Sequence, residues 1–178
     1  MITINNIINK VKSCFSLTKK DLTLLTIVST GVFVFDFITK YVVFSMDVSG
    51  YYICSILNIL KVRNYGISFG LFSENPYIMI YFIIIFDLAV MIYLLHCFQS
   101  KNMYKRPTLF AMAVCFVFGG AVGNLFDRIY YGSVRDFIDF HWNNHHWPCF
   151  NIADIFICVG VGIFIVCEIF LKKTKNDK

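Results

Sequence analysis

Three aspartates, Asp136, Asp139 and Asp154, lie within 19 residues of one another, and apolar residues flank them. A carboxylate in such surroundings is costly unless a partner or a function compensates for it. Two carboxylates that converge from different elements can hold one water between them and share one proton. One then acts as the base toward the water and the other as the acid toward a carbonyl. The aspartates therefore indicate hydrolysis of the aspartic-protease type, which uses neither a metal nor a nucleophilic side chain.

The spacing of these acids limits which of them can converge. Asp136 and Asp139 are three residues apart, so they point in opposite directions in an extended segment and in roughly the same direction in a helix. Only one of the two need belong to the site. Asn151 and Asp154 are also three apart and fall at the predicted start of a helix, where free backbone N–H groups favour an anion.

A metal site is the alternative chemistry in this region. His141 and His145 are four residues apart, and His146 is adjacent to the second. The segment lacks the glutamate of an HExxH motif, however, and Trp142 and Trp147 favour an aromatic belt at a membrane interface. We therefore expect no metal and no cofactor. Serine or cysteine catalysis is weaker still, because the sequence has no Gly-x-Ser-x-Gly turn and no cysteine with a convincing histidine partner.

Composition places this chemistry in a membrane. Apolar residues make up 58% of the chain and charged residues only 15%, against about 25% charged residues in an average soluble protein. A soluble globular protein and a disordered one are both excluded, since each needs more polar sequence. The net charge of +5 does not indicate a nucleic-acid partner. The seven cysteines, which are odd in number and lack a C-x-x-C pair, are interpreted as small apolar fillers.

Four stretches are long and apolar enough to cross a bilayer, namely residues 22–44, 77–98, 108–126 and 152–171. They predict a mainly α-helical membrane protein in which residues 22–171 form a single four-helix domain. Residues 1–21 are expected to form an amphipathic cytoplasmic lead, and residues 172–178 a basic cytoplasmic tail.

The basic residues predict the orientation of the four spans. Eleven of the sixteen lie in the two terminal segments and in the short connection 99–106, which four spans place on the same side. Because basic residues concentrate on the cytoplasmic side, both termini should be cytoplasmic. The long connections 45–76 and 127–151 then lie outside, where a β-type run at 51–59 predicts a small sheet lying on the membrane. The active site is expected at this outer face.

Ionisable residues inside the spans permit either a structural role or an alternative function. Asp36 and Lys40, four apart on one helix, can form an ion pair, with the lysine stem snorkelling toward the outer interface. Asp87 has no such partner in the sequence, whereas Glu168 is followed four residues later by Lys172. A transporter or proton channel could use the three acids as a relay, but the gathering of the other acids at one face favours an enzyme. A non-catalytic scaffold does not explain that gathering.

The third predicted span ends in small residues followed by polar ones. The small residues predict close helix packing and are Gly119, Gly120, Ala121 and Gly123. Asn124, Asp127 and Arg128 follow at helical spacing on one face. Residues 64–70, in the first outer loop, could form an ordinary glycine turn or a strand whose glycines let a substrate backbone come close.

Five segments, taken in order along the chain, resemble motifs of the bacterial lipoprotein signal peptidases, also called signal peptidase II or prolipoprotein signal peptidase. The segments are DFITK (36–40), NYGISF (64–69), GGAVGNLFDR (119–128), GSVRDF (132–137) and FNIAD (150–154). The first two are weak signals individually, but all five in order on a four-span chain make a specific match.

The resemblance implies an intramembrane aspartic endopeptidase that removes the signal peptide from diacylglyceryl-modified prolipoproteins. It would cleave just before the lipidated cysteine, through a water activated by an aspartate dyad. By motif position the dyad falls on Asp136 and Asp154, which leaves Asp127 as the expected partner of Arg128. Ser68 stands where the family usually has alanine. The implied substrate-binding or supporting residues are Asn64, Gly66, Asn124, Asp127, Arg128, Asn151, Ala153, Asp36 and Lys40.

The resemblance also implies where the protein works and with what. The expected location is the bacterial cytoplasmic (inner) membrane, which the chain crosses several times. Its expected partners are diacylglyceryl prolipoproteins and membrane lipids, with no nucleic acid, and the chain is expected to be a monomer.

Overall fold

A computed structural model describes residues 18–66 and 76–173. Within them, four helices are long and apolar enough to cross a membrane. They are α1 (Lys19–Ser45), α2 (Pro76–Gln99), α3 (Pro107–Tyr131) and α4 (Ile152–Phe170). Together with a small sheet they confirm the predicted fold class. The predictions for Ser68, for residues 1–17 of the lead and for residues 174–178 of the tail lie outside the described residues.

Local sequence explains where these helices begin and end. Thr18 caps α1, because its hydroxyl accepts a hydrogen bond from the Asp21 N–H while the Asp21 carboxylate accepts one from the Thr18 N–H, both at 3.2 Å. Pro107 opens α3. Gly132, with φ of +67°, ends α3 in the left-handed conformation that glycine adopts without strain. The helix therefore runs to Tyr131, beyond the predicted end of the span at 126.

Helix α3 lies at the centre of the bundle. In α3, 61% of the most apolar 18-residue stretch is buried. The corresponding stretches of the other three helices are only 17–22% buried. Small residues make this possible, as predicted. A Cβ atom at Gly119 would lie 2.8 Å from the Ser29 backbone oxygen, and one at Gly120 would lie 2.6 Å from the Ala153 backbone oxygen. Neighbouring backbones therefore approach α3 so closely that side chains there would have no room.

The sheet has four antiparallel strands in sequence order, and its bounds are wider than predicted. The strands are β1 (Gly50–Cys54), β2 (Leu57–Asn64), β3 (Val134–Trp142) and β4 (His145–His146). The β-type run at 51–59 corresponds to β1 and the start of β2, so a sheet in this loop is confirmed. Strand β3 was not predicted, because its first four residues are all buried and it lacks the apolar–polar alternation that identifies a half-buried strand.

The two ends of the bundle differ in character. At one end, Lys101 pairs with Asp21 at 2.9 Å, and the Lys105 N–H donates to the Leu171 backbone oxygen at 2.7 Å. The start of α1, the α2–α3 connection and the end of α4 therefore meet there, and we call this the basic end. The sheet lies at the other end, which we call the sheet end.

Two glycines of α4 test the role of close packing. A Cβ atom at Gly160 would lie 2.7 Å from the Ala113 backbone oxygen of α3, whereas a Cβ atom at Gly162 would meet nothing within 4 Å. Because backbone cannot move aside as a flexible side chain can, we expect Gly160→Ala to destabilise the fold by about 1–3 kcal/mol. Gly162→Ala should leave stability unchanged or slightly raised, since alanine favours a helix.

The measurement is the midpoint of thermal unfolding of each purified variant in the same detergent. Equal midpoints for the two variants would contradict the packing of α3 against α4 described here.

Candidate active site

Asp136 lies on β3 with its side chain almost fully buried. Its Oδ1 accepts a hydrogen bond from the Asn151 side-chain amide at 2.7 Å, and its Oδ2 accepts one from the Asn64 amide at 2.9 Å. Asn64 ends β2, and its own Oδ1 accepts the Gly66 N–H at 2.8 Å, where the glycine has φ of +74°. The turn at Gly66 thus orients the amide that holds Asp136.

Asp154 lies in the first turn of α4 and is partly exposed. Asn151 caps this helix: its side-chain oxygen accepts the Asp154 N–H at 3.1 Å, and Asp154 Oδ2 accepts the Asn151 N–H at 3.0 Å. The other carboxylate oxygen accepts the Asn124 amide at 2.8 Å. The start of the helix therefore positions Asp154, as the spacing of Asn151 and Asp154 predicted.

Asn124 and Asn151 join the two carboxylates into one network. The Asn151 amide nitrogen donates to Asp136 and, at 3.1 Å, to the Asn124 side-chain oxygen. That oxygen also accepts from Lys40 Nζ at 3.0 Å. An ammonium group can only donate, so the Asn124 amide is oriented with its NH₂ toward Asp154. The structure therefore brings Asp136 and Asp154 together through the same pair of amides.

The environment of Asp136 alters its acidity. Burial raises the pKa of the Asp136 carboxyl above its ordinary value, and the nearby negative charge of Asp154 acts in the same direction. Hydrogen bonds from Asn64 and Asn151 and the charge of Lys40 oppose this rise without cancelling it. Asp136 therefore keeps its proton to a higher pH than an ordinary aspartic acid.

Lys40 holds this network through its hydrogen bond to Asn124. Its side chain is fully buried, and its ammonium lies 2.7 Å from Asp36 Oδ2 and 3.3 Å from Asp127 Oδ2. The predicted Asp36–Lys40 ion pair is confirmed, but the expectation that Lys40 snorkels toward the interface is wrong, because its ammonium turns into the protein toward three acceptors. Asp36 Oδ1 also accepts the Ala153 N–H at 2.9 Å, which fixes α1 against the start of α4.

The expected Asp127–Arg128 pair is wrong. Asp127 instead accepts hydrogen bonds from Arg135, whose Nη2 lies 2.8 Å from Asp127 Oδ1 and whose backbone N–H lies 3.0 Å from Oδ2. Arg128 pairs with Asp87 of α2 at 2.7 Å. The physical reason is helix geometry, since adjacent residues on a helix do not face each other. Asp87 therefore has a partner, although none was visible in the sequence.

Arg135 is a residue near the site that the sequence analysis did not select. Its guanidinium carbon lies 4.3 Å from the centre of the Tyr131 ring and 5.7 Å from that of Phe37, and its side chain is only 3% exposed. A signal was available, because an arginine next to apolar residues in a membrane protein needs a buried partner. It was overlooked because β3 was not recognised as a strand.

Asp139 takes different partners from Asp136. Asn58 donates to its Oδ2 at 3.0 Å, and His146 Nδ1 lies 2.8 Å from its Oδ1. Burial acts to raise the pKa of Asp139, but the hydrogen bonds from His146 and Asn58 outweigh it and hold the pKa below its usual value. Asp139 is therefore an ionised acid in a second cluster.

That second cluster corrects the histidine pair considered from the sequence. Within residues 18–66 and 76–173, one group of three potential metal ligands is close enough to bind an ion. It consists of Asp139, His141 and His146, whose ligand atoms all lie within 4.8 Å of one another. His145, not His146, was the partner proposed for His141. In a hairpin the neighbour of a residue is its cross-strand partner, and the ladder pairs His141 with His146.

The acids of the relay alternative belong to separate ion pairs. Asp36, Asp87 and Glu168 pair with Lys40, Arg128 and Lys172 respectively. The Glu168–Lys172 contact follows the predicted four-residue spacing, and the Tyr104 hydroxyl donates to the same glutamate. Each acid is therefore neutralised by its own cation, which favours a structural role for all three.

An apolar cavity of about 440 Å³ opens beside Asp154. The segment 147–150 forms one wall, and Ile155, Cys158 and Val159 of α4 form the other. Except for the aspartate, the residues around it offer little that is polar. The cavity can therefore take an apolar chain next to the carboxylate.

Comparisons with known proteins identify relatives in sequence and in fold. A sequence model of signal peptidase (SPase) II matches residues 28–170. A lipoprotein signal peptidase of Sulfurihydrogenibium sp. is 35% identical over 89% of this chain and 98% of its own length. One of Haemophilus influenzae is 36% identical over 84% of this chain and 88% of its own.

A solved bacterial membrane enzyme, at 29% sequence identity, covers 86% of this chain and 91% of its own with a TM-score of 0.65. The fold is therefore shared as well as the sequence. The chain belongs to the signal peptidase II family of bacterial multi-pass membrane peptidases, which remove signal peptides from lipoproteins.

Proposed function

We propose that this peptidase cleaves diacylglyceryl-modified prolipoproteins just before the lipidated cysteine, with Asp136 and Asp154 as its catalytic dyad. The observation that supports the dyad is the shared pair of amides: Asn151 and Asn124 hold one carboxylate each and hydrogen bond to each other. Carboxylates fixed in this way can hold a single water between them.

The two acids take different roles in the proposed mechanism. Asp136, whose pKa is raised by burial, carries the shared proton and donates it to the carbonyl oxygen of the scissile peptide bond. Asp154, at the start of α4, acts as the base and removes a proton from the attacking water. The hydroxide adds to the carbonyl carbon and gives a tetrahedral diol.

The second half of the reaction restores both acids. Asp154, now protonated, gives its proton to the leaving nitrogen as the C–N bond breaks. Asp136, now ionised, takes a proton from the diol, which becomes the carboxylic acid of the released signal peptide. The proton count at the dyad is then the same as before the reaction, so no cofactor is required.

The apolar cavity beside Asp154 supports an apolar substrate in this reaction. Its opening at the carboxylate would place an acyl chain or an apolar side chain of the substrate against α4, with the scissile bond near the dyad. Among the supporting residues, Asn64 and Asn124 act by orienting the two acids. Arg128 is held by Asp87 and lies on the same helix as Asn124.

We also propose that the sheet end faces the outside of the cytoplasmic membrane. The basic end carries the described lysines and arginine of the terminal segments and of the α2–α3 connection, which are Lys19, Lys20, Lys101, Lys105, Arg106, Lys172 and Lys173. This asymmetry supports cytoplasmic termini. The dyad, which adjoins the sheet, would then act at the outer face.

Amide substitutions test the dyad. Asp136→Asn and Asp154→Asn keep the size of each side chain but remove the acid or the base, so each should lower cleavage by about a thousandfold or more. Since the two acids act as a unit, the double variant should be no slower than either single. The measurement is mass spectrometry of a diacylglyceryl prolipoprotein incubated with purified enzyme in detergent.

The matched control is Asp47→Asn, an exposed aspartate between α1 and β1, which should cleave like the parent enzyme. Size-exclusion profiles should show all variants folded. Parental activity in either single dyad variant would refute the mechanism.

The pH dependence of cleavage provides a second test. The rate should fall at low pH, where both acids are protonated, and at high pH, where Asp136 loses its proton. The Asn64 amide lowers the pKa of Asp136 by stabilising its ionised form. Asn64→Ala should therefore raise that pKa further and move the alkaline limb of the kcat profile to higher pH. An alkaline limb that stays in place or moves to lower pH would show that Asp136 is not the acid.

Cysteine labelling tests the orientation. In a background without native cysteines, Met103→Cys should react with a membrane-impermeant maleimide only after the cells are opened. Ser49→Cys and Asn144→Cys should react in intact spheroplasts, because both lie at the exposed sheet end. Labelling of residue 103 from outside would reverse the proposed topology.

A further inference from the structure

The β3–β4 hairpin brings three potential metal ligands to one place. Asp139 and His141 are two residues apart on β3, so they lie on the same face of the strand. His146 pairs with His141 across the ladder, and the two imidazole rings stack with centroids 5.0 Å apart and planes 19° apart. The strand geometry alone therefore places both imidazoles beside one carboxylate.

Both imidazoles turn the same nitrogen toward this carboxylate. Nδ1 of His146 lies 2.8 Å from Asp139 Oδ1, and Nδ1 of His141 lies 3.8 Å from Asp139 Oδ2. All the ligand atoms lie within 4.8 Å of one another. In a tetrahedral zinc site with bonds of about 2.0–2.2 Å, ligand atoms are about 3.3–3.6 Å apart. No two ligand atoms therefore need to approach each other by more than about 1.5 Å, and His146 Nδ1 and Asp139 Oδ1 need to move apart by about 0.5 Å.

The surroundings permit that movement and provide a route for an ion. His146 is 52% exposed, so its side chain can adjust and an ion can enter from solvent, while Asp139 is only 2% exposed and is held in place. Asn58 donates to Asp139 Oδ2 at 3.0 Å. Hydrogen bonds of this kind orient a ligating carboxylate in metal sites.

We propose that Asp139, His141 and His146 form a binding site for Zn²⁺ or a divalent transition metal of similar ligand preference. Two imidazole nitrogens and one carboxylate oxygen are a donor set that suits such ions and disfavours Mg²⁺, which prefers oxygen ligands in an octahedral arrangement. The fourth position is taken by water. The ion plays no part in the proposed peptide cleavage, because none of its ligands belongs to the dyad network.

The ion fastens a segment that leads to the site. The Trp147 N–H donates to the Phe140 backbone oxygen at 2.8 Å, and the Phe150 N–H donates to the Ile138 oxygen at 3.1 Å. These bonds hold residues 147–150 along β3, and that segment walls the apolar cavity and precedes the cap of α4. Linking β4 to β3 through a metal therefore stabilises the cavity wall.

A direct binding measurement tests the proposal without relying on cleavage. The full-length, tag-free protein is stripped with a chelator, dialysed and titrated with ZnCl₂ by isothermal calorimetry in detergent. Parallel titrations use His141→Ala, His146→Ala and the matched control His145→Ala. His145 adjoins His146 in β4 and is exposed, but it lies outside the ligand group.

One Zn²⁺ should bind per chain in the parent protein and in His145→Ala. Since outer partners alone alter metal affinity by about 10–100-fold, loss of a direct ligand should weaken binding by at least about tenfold in His141→Ala and His146→Ala. Zn²⁺ should also raise the midpoint of thermal unfolding of the parent protein but not of His146→Ala. MgCl₂ should produce neither effect.

Several outcomes would overturn the site. Undetectable Zn²⁺ binding would do so, and so would equal affinity in the parent and both ligand variants, which would place the ion at other side chains. Equal weakening in His145→Ala would show that the hairpin attracts metal without a defined ligand set. Because these readouts involve no substrate, they stand apart from the dyad: the site can fail while Asp136 and Asp154 cleave, and the dyad can fail while Zn²⁺ binds.

Discussion

The buried ammonium of Lys40 is the interaction on which the rest of the structure depends. An unpaired charge inside the bundle is strongly unfavourable, so Lys40 must be surrounded by acceptors, and it finds Asp36, Asp127 and Asn124. Each acceptor links it to another element. Asp36 binds the first turn of α4 through the Ala153 N–H, and Asp127 binds β3 through Arg135. One lysine therefore connects α1, α3, α4 and the sheet.

The charges in this network balance. Lys40 and Arg135 supply two positive charges, and Asp36 and Asp127 supply two negative ones, all from side chains no more than 3% exposed. Asp136 and Asp154 therefore lie outside this balanced set of charges and have their own amide donors. That balance allows α1 to approach α3 closely: a Cβ atom at Gly123 would lie 2.6 Å from Asp36 Oδ2. The contact between α1 and α3 therefore depends both on a small residue, Gly123, and on the pairing of Asp36 with Lys40.

Sequence reasoning succeeded where contacts are local and failed where they are not. The four spans, the Asp36–Lys40 and Glu168–Lys172 pairs and the Asn151 cap all follow from spacing within one helix. The pairs Asp127–Arg135 and Arg128–Asp87 join different elements, and no periodicity along the chain encodes them.

The sheet shows the same limit. Strand β3 is buried at its start, and its register with β2 and β4 decides that Asp139 meets Asn58 and His146. Spacing alone suggested His145 as the neighbour of His141, because an i, i+4 pattern describes a helix and not a hairpin. The two aspartates of the proposed dyad were selected through their motifs, whereas the amides that hold them became visible only in the tertiary structure.

The position of Asn124 explains how a buried lysine could support the proposed dyad without removing its shared proton. A cation in direct contact with both carboxylates would favour their ionised forms, and the pair would then lack the proton that one acid must donate. Here Lys40 contacts the side-chain oxygen of Asn124, and the amide nitrogen of Asn124 contacts Asp154. The Asn124 amide is oriented by Lys40 and in turn orients Asp154, while the lysine ammonium makes no direct contact with that carboxylate. Lys40 accordingly has the smallest of the influences on the pKa of Asp136, and burial, the largest, keeps that pKa raised. In the proposed dyad, Asn124 is therefore the neutral side chain that separates the acids from the cation that organises the fold.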